Sequence, residues 1–327
     1  MTAATTNPSS RQEPGSRFAV VSAVGPSDRE VDRVQDLFDS LEAFEPGNYH
    51  FVLIDDSPGT SRFTNIVPKC LRDRYIEIKN PRRGQGCGWA AGCAVAVLAG
   101  LNELLRRRIA FTFALKLDTD ALVIRPFAEK ISRQFAAVSR IGMIGTVRNP
   151  ELGDQAREAV KPMGRVLDKL SKQFTVWRRT PLGRPAVQIA LWGRYRLIRD
   201  TIREAFINGF RVGEHCYGGG YALSRPCIEA FAARGLLARP RIWLRTPLVE
   251  DLLISLCVKS VDFDLKDLSG KDEPFAIRYL GLPDTPENLV TRGHSIIHSV
   301  KDCEAQALTE AELRSFFRDL RTQATLT

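Results

Sequence analysis

The sequence predicts an α/β fold in which helices flank a mostly parallel central sheet. Three observations carry that expectation. Apolar, β-branched runs recur at residues 17–24, 50–56 and 111–120. Between the first two lies a stretch with helical spacing, Val31, Val34, Phe38 and Leu41. The second and third runs end in paired carboxylates, Asp55-Asp56 and Asp118-Thr119-Asp120, at the strand ends where open α/β sheets gather their ligands.

RFAVVSAV (17–24) stops at Gly25-Pro26 and reads as a first buried strand with its loop. Ser27 followed by Glu30 has the spacing of a capping box and opens the first helix. HFVLIDD (50–56) is the second strand and ends in Ser57-Pro58-Gly59, so strand, helix and strand open a parallel sheet. YIEIKN (75–80) is a short third strand leading into PRRGQGCG, after which residues 89–105 form a helix rich in small residues. FTFALKLDTD (111–120) is a strongly apolar strand.

Further along, IGMIGTV (141–147) predicts a strand and residues 167–174 helical turns, with the arginine-rich part that follows unassigned. CYGGGYALS (216–224) precedes Pro226 and a helix over 227–234. Residues 248–261 have a helical apolar face and place Glu250-Asp251 in the first turn, where carboxylates are favoured by the helix dipole. SIIHSVK (295–301) is a short extended segment carrying His298, and Thr309 with Glu312 caps a last helix.

These elements predict a disordered tail over 1–16, one domain over 17–300 and a helical extension over 301–327. The domain divides into a nucleotide-binding half, 17–125, and an acceptor-side half, 126–300. No signal-peptide pattern opens the chain, and its longest apolar candidate, 90–100, is too short to span a bilayer. Seven scattered cysteines show no disulfide framework and fit a reducing compartment, so a cytoplasmic location is expected.

The net charge of +9 is concentrated in the acid-poor stretch 161–211. A solvated face explains it, as does an anionic or lipid-linked partner at the inner face of a membrane. No nucleic-acid module accompanies it, so no nucleic acid is expected.

Asp118 and Asp120 are two carboxylates one residue apart at the mouth of a buried strand. They can hold Mn²⁺ or Mg²⁺ whose free positions take diphosphate oxygens, or they can cap the strand structurally. His298 can close the shell with an imidazole, or be a satisfied half-buried histidine, with His294 in reserve. Gly293 and the β-branched Ile296-Ile297 disfavour the helix that a metal pair formed by both histidines would need. Asp55 and Asp56 can accept bonds from a base N–H or a ribose hydroxyl, or cap the following turn.

The loop with Asn80, Arg82, Arg83, Gly84, Gly86 and Gly88 brings backbone and positive charge to a nucleotide, although it is neither a dinucleotide fingerprint nor a Walker loop. Gly218-Gly219-Gly220 suggests a floor for a sugar, or a tight turn. Glu250 and Asp251 offer a general base, or serve the helix dipole.

LDTDALV (117–123), GGGYALS (218–224) and VEDLLI (249–254), in that order and at about these distances, resemble the GT-A glycosyltransferases, and among them the β-1,3-galactosyltransferase and Fringe-like group. IDDSPG (54–59) and NPRRGQG (80–86) are similar to the nucleotide-binding front of GT-A enzymes generally, including the inverting family 2. The resemblance covers about residues 17–300 and implies a GT-A sheet with a smaller acceptor-side region. It implies that Asp55 or Asp56 contacts uracil or ribose, that Asp118 and Asp120 carry Mn²⁺ with the UDP diphosphate, and that His298 completes the shell. Gly219 and Gly220 would line the sugar pocket, with Asp251 as base of an inverting displacement.

The chain departs from the group in reading Asp-Thr-Asp where three aspartates are frequent, and in placing Leu252 where valine is usual. The function so implied is transfer of a sugar from a UDP-sugar to a saccharide, lipid-linked or other hydroxyl acceptor. Rival readings are a retaining GT-A enzyme, a non-catalytic nucleotide-sugar-binding protein, and a sugar-phosphate nucleotidyltransferase. The last usually carries a glycine- and lysine/arginine-rich loop after the first strand, where this chain has AVGPSDRE (23–30).

Overall fold

The computed structural model describes residues 18–82, 91–148, 186–211, 213–246, 248–304 and 307–325. The expected helical turns at 167–174, and Arg83, Gly84, Gly86 and Gly88, lie outside the described residues. In chain order the strands are β1 (Phe18–Val24), β2 (Tyr49–Asp55), β3 (Tyr75–Lys79), β4 (Phe113–Leu117), β5 (Leu122–Val123), β6 (Ile141–Arg148), β7 (His215–Ser224), β8 (Asp264–Asp267), β9 (Phe275–Ile277) and β10 (Ile296–His298). The helices are α1 (Arg29–Phe44), α2 (Ala91–Arg106), α3 (Ala128–Ala137), α4 (Ala186–Ile207), α5 (Arg225–Ala233), α6 (Glu250–Ser260), α7 (Pro286–Thr291) and α8 (Glu310–Thr325).

Seven strands form the central sheet in the order β3-β2-β1-β4-β7-β6-β8. Neighbours pair in parallel except at β7, which runs antiparallel between β4 and β6. A smaller sheet, β5-β10-β9, stands beside it. This mixed, mostly parallel sheet flanked by helices, with its secondary sheet, matches the GT-A architecture expected from the sequence. The strand order reverses between β1 and β4, and the carboxyl ends at that switch point are where a crevice opens in sheets of this kind.

The near-continuous apolar runs reflect burial on both faces. In β1, Ala19 and Val21 face the layer of α2, α5 and α6, while Phe18, Val20 and Val24 face α1 and α3. The same alternation in β4 sends Phe113, Leu115 and Leu117 to the second face and Ala114 to the first, so Lys116 and Asp118 follow Ala114 onto the first.

Two capping expectations ended differently. Thr309 and Glu312 form the reciprocal box, with Thr309 N and Oγ1 donating to Glu312 at 2.8 Å each and Glu312 N donating back at 3.3 Å. Ser27 and Glu30 do not. Helix α1 starts after Asp28 with no side-chain cap, and Glu30 instead accepts from Thr119 Oγ1 and pairs with Arg33 at 2.9 Å. A tertiary partner has taken the carboxylate that the local motif would have used. Helix α8 docks on α1 through buried Asp36, which receives Arg314 Nη1 at 2.6 Å and Arg321, with Arg33 and Glu310 pairing at 2.6 Å alongside.

Candidate active site

Asp118 follows the last residue of β4, and its backbone N–H donates to Gly219 O at 3.1 Å, continuing the ladder with β7. A turn closed by Ala121 N donating to Asp118 O at 3.1 Å then folds Asp120 back beside it. Strand β10 pairs with β5, the short strand just after that turn, and so delivers His298 to the same place. One ligand atom from each of Asp118, Asp120 and His298 lies within 4.8 Å of the others. His294, the reserve histidine, is absent from this cluster, and its Nδ1 is bonded to Glu273 O at 2.9 Å.

The donors fit a divalent cation. His298 Nδ1 donates to Arg278 O at 2.7 Å, which fixes the tautomer and leaves Nε2 facing Asp120 Oδ2 at 3.2 Å and Asp118 Oδ2 at 3.6 Å. Asp120 is also held by Ser299 Oγ at 2.6 Å and Lys301 Nζ at 2.9 Å. Burial works against its charge, but His298, Lys301 and Ser299 outweigh that and hold its carboxyl well below the usual range. His298 moves the other way: burial lowers it, Asp120 raises it more, and the net shift is upward. Asp118 has 37% of its side chain exposed, so the cluster opens to solvent on that side.

Lys116 was not singled out in the sequence. Its signal was a single cation inside the apolar run FTFALKL. It is buried, donates to Asp118 Oδ1 at 2.8 Å and to Gly218 O, and lies 3.4 Å from Glu250 Oε2. Burial disfavours its charge, yet Asp118 and Glu250 keep its pKa raised. Lys116 thus ties the cluster of Asp118, Asp120 and His298 to β7 and to the start of α6.

The three glycines lie inside β7, not in a turn. A Cβ on Gly218 would fall 2.5 Å from Glu250 Oε2, and one on Gly219 would overlap the His298 imidazole. Gly220 is less constrained, with Ile277 and Leu117 at 3.2 and 3.3 Å from the same point. Their first physical role is to leave room for site side chains. Gly219→Ala is expected to push His298 out of the cluster and to weaken Mn²⁺ binding by roughly 10–100-fold with every ligand still present. Titration calorimetry reads it, and wild-type affinity would show that the imidazole does not bear on the ion.

Glu250 and Asp251 differ in environment. Glu250 is buried, with Oε1 accepting from Tyr221 OH and Oε2 beside Lys116. Burial pushes it up to about 7 against the pull of Lys116. A carboxyl ordinarily at 4.5 and raised to about 7 binds extra protons when folded. Its contribution to stability is therefore complete below about pH 4.5 and is lost as pH rises through about 7. Glu250→Gln mimics the neutral form, so its stability in urea is expected to rise relative to wild type between about pH 5 and 8. A difference that does not change with pH would mean that Glu250 is ionised throughout.

Asp251 is 21% exposed, and its Oδ2 lies 3.7 Å from Nε2 of His215, whose Nδ1 donates to Gly213 O at 2.7 Å.

Asp55 and Asp56 are both buried at the carboxyl end of β2. Asp55 accepts from Ser57 N at 2.9 Å, Ser57 Oγ at 2.6 Å and Lys79 Nζ at 2.5 Å. Burial raises its pKa, but Lys79 and Ser57 bring it below the ordinary value. Asp55 therefore performs the turn-capping role. Asp56 N donates to Val24 O at 3.0 Å, which sets it across the end of β1. Asn80 is buried after β3, and its Oδ1 accepts from Arg82 N at 3.0 Å. Arg62, also unnoticed in the sequence, donates to the carbonyls of Gly25, Pro26 and Ser27 at 2.8–3.1 Å and lines the same edge.

No protein-family model matches the chain, and no curated protein matches it. Solved structures similar to it include core-mannan synthase A from Aspergillus fumigatus in an Mn/GDP form, 10% identical over 80% of this chain and 74% of that one, with a TM-score of 0.38. The mannosyltransferase PcManGT from Pyrobaculum calidifontis, in complex with GDP-Man and Mn²⁺, is 14% identical over 65% and 46%, with a TM-score of 0.32. The WbbM bifunctional glycosyltransferase is 10% identical over 95% and 50%, with a TM-score of 0.43. The chain spans about half the length of the last two. Likeness at this level assigns no substrate.

Proposed function

We propose that the protein is a metal-dependent glycosyltransferase that moves a sugar from a nucleotide sugar, read here as a UDP-sugar, to an acceptor hydroxyl with inversion. The observation that carries this reading is the convergence of Asp118 and Asp120 with His298 at the sheet's switch point. Bound there, Mn²⁺ or Mg²⁺ supplies charge compensation for a diphosphate leaving group.

The remaining work falls to the chain's own residues. Asp56 and Asn80, at the ends of β2 and β3, face the base and ribose, and Arg83 and Gly84, outside the described residues, are the further nucleotide contacts expected from the sequence. Asp55 holds that edge in shape through Ser57 and Lys79. Gly219 and Gly220 line the donor-sugar pocket. Asp251 takes the proton of the acceptor hydroxyl as the glycosidic bond forms, because it is the exposed member of its pair. Glu250, with both oxygens directed at Tyr221 and Lys116, positions Lys116 and not the acceptor.

The test is calorimetric titration of UDP into the purified chain, with Mn²⁺ and again with excess EDTA, and GDP titrated alongside. Metal-dependent UDP binding supports the donor site. Preference for GDP would keep the enzyme class and change the donor, and no binding of either would remove the reading.

A further inference from the structure

Across residues 230–249 the chain carries four arginines, Arg234, Arg239, Arg241 and Arg245, and no acidic residue. All four are exposed. Arg239 precedes, and Arg241 and Arg245 lie within, a 3-10 turn, Pro240–Arg245, which is anchored by fully buried Trp243 and packs against α2 and α4. Between the last two arginines Leu244 stands 37% exposed.

A second set of arginines joins this one. On α4, Arg196, Arg199 and Arg203 follow one another at three- and four-residue spacing and form one stripe. Ile198, Thr201 and Ala205 bury the opposite side of the helix. Asp200 and Glu204 pair with the stripe at 2.9–3.3 Å, which leaves it cationic but only modestly so. It runs on into Phe206 and Ile207, 40% and 66% exposed. The stripe and Arg234, at the end of α5, line one open groove. The described part of the basic stretch noticed in the sequence at 161–211 therefore meets Arg234 at this groove, and the 3-10 turn packs against the same helix.

We propose that this surface, made by α4, the end of α5 and the 3-10 turn, docks the protein on a bilayer carrying anionic headgroups. Arginines in an acid-free segment supply attraction to the negative leaflet, and single exposed apolar side chains between them can enter the headgroup boundary. Of the exposed apolar side chains on this surface, Leu244 and Ile207 are aliphatic and offer no ring face on which a base stacks, whereas a headgroup boundary takes them together with Phe206. The inference does not depend on the sugar-transfer reading, and its test reads no activity.

The experiment is co-sedimentation of the full chain with vesicles of phosphatidylcholine alone, or with about 30% phosphatidylglycerol, at roughly 50 and 500 mM NaCl. Binding is expected only to the anionic vesicles, with release at high salt. Arg239→Gln, Arg241→Gln and Arg245→Gln together should weaken it by about 100-fold, roughly fivefold for each charge lost. Leu244→Ser should weaken binding to the anionic vesicles severalfold at the low salt concentration. Thermal melting of each variant is followed alongside, and a loss of vesicle binding is counted only where the variant melts cooperatively. Equal binding to neutral vesicles, no binding to anionic vesicles at low salt, or an unaffected triple variant would overturn the proposal. So would tighter binding to a single-stranded oligonucleotide than to anionic vesicles.

Discussion

Asp120→Ala is expected to reduce Mn²⁺-dependent UDP binding to its level in EDTA, and to slow sugar transfer by at least about a thousandfold. Asp120 is the most enclosed of the three proposed ligands, and it is where His298, Ser299 and Lys301 meet. Removing the carboxylate takes the nearest counter-charge from buried His298 and from half-exposed Lys301, which lowers stability as well. Asp120→Asn removes the same charge but keeps the volume, and so separates the loss of the carboxylate's charge from the loss of packing. Metal-dependent binding at wild-type strength in the asparagine variant would take Asp120 out of the metal site.

Asp251→Asn has the second large expected effect, and the opposite pattern. Nucleotide binding should persist, because Asp251 lies outside the metal cluster, while transfer falls by about 10²–10⁴-fold. The loss belongs in kcat, since the carboxylate acts on a proton that moves only as the bond forms. Single-turnover transfer with saturating donor measures it. Transfer at the wild-type rate would remove Asp251 as base and favour a retaining displacement, which needs no carboxylate behind the acceptor. His215, 3.7 Å from Asp251, is the neighbour whose replacement would show whether that carboxylate is held in place.

Much of the front half was legible because its signals are local. The runs that became β1, β2 and β4 are apolar enough to be buried on both faces, and period-2 alternation alone places Lys116 and Asp118 on one side of the sheet. Paired acids at the ends of β2 and β4 marked the crevice for the same reason. The Thr309–Glu312 box formed because, among the described residues, no tertiary partner competes for Glu312. Glu30 has the same local signal, but Thr119 and Arg33 compete for it and win.

Other residues were legible only as composition. Lys116 looked like an accident within a hydrophobic strand until its partners, Asp118, Gly218 and Glu250, were seen around it. The glycine run allowed either a turn or a close approach, and a sequence cannot say what approaches. The two acids opening α6 look equivalent in a row of letters. Folding buries Glu250 against Tyr221 and Lys116 and leaves Asp251 partly in solvent.

The sequence by itself determined the α/β class and the succession of the principal strands along the chain, and it singled out Asp118, Asp120 and His298, which the fold brings together, because burial periodicity and strand-end chemistry are written over a few neighbouring residues. Only the tertiary structure decided that β7 enters the sheet antiparallel beside β4, that Asp55 holds a turn, and that Glu250 and Asp251 part company. Those outcomes depend on pairings between residues far apart in the chain, whose energies are set by which groups lose water together.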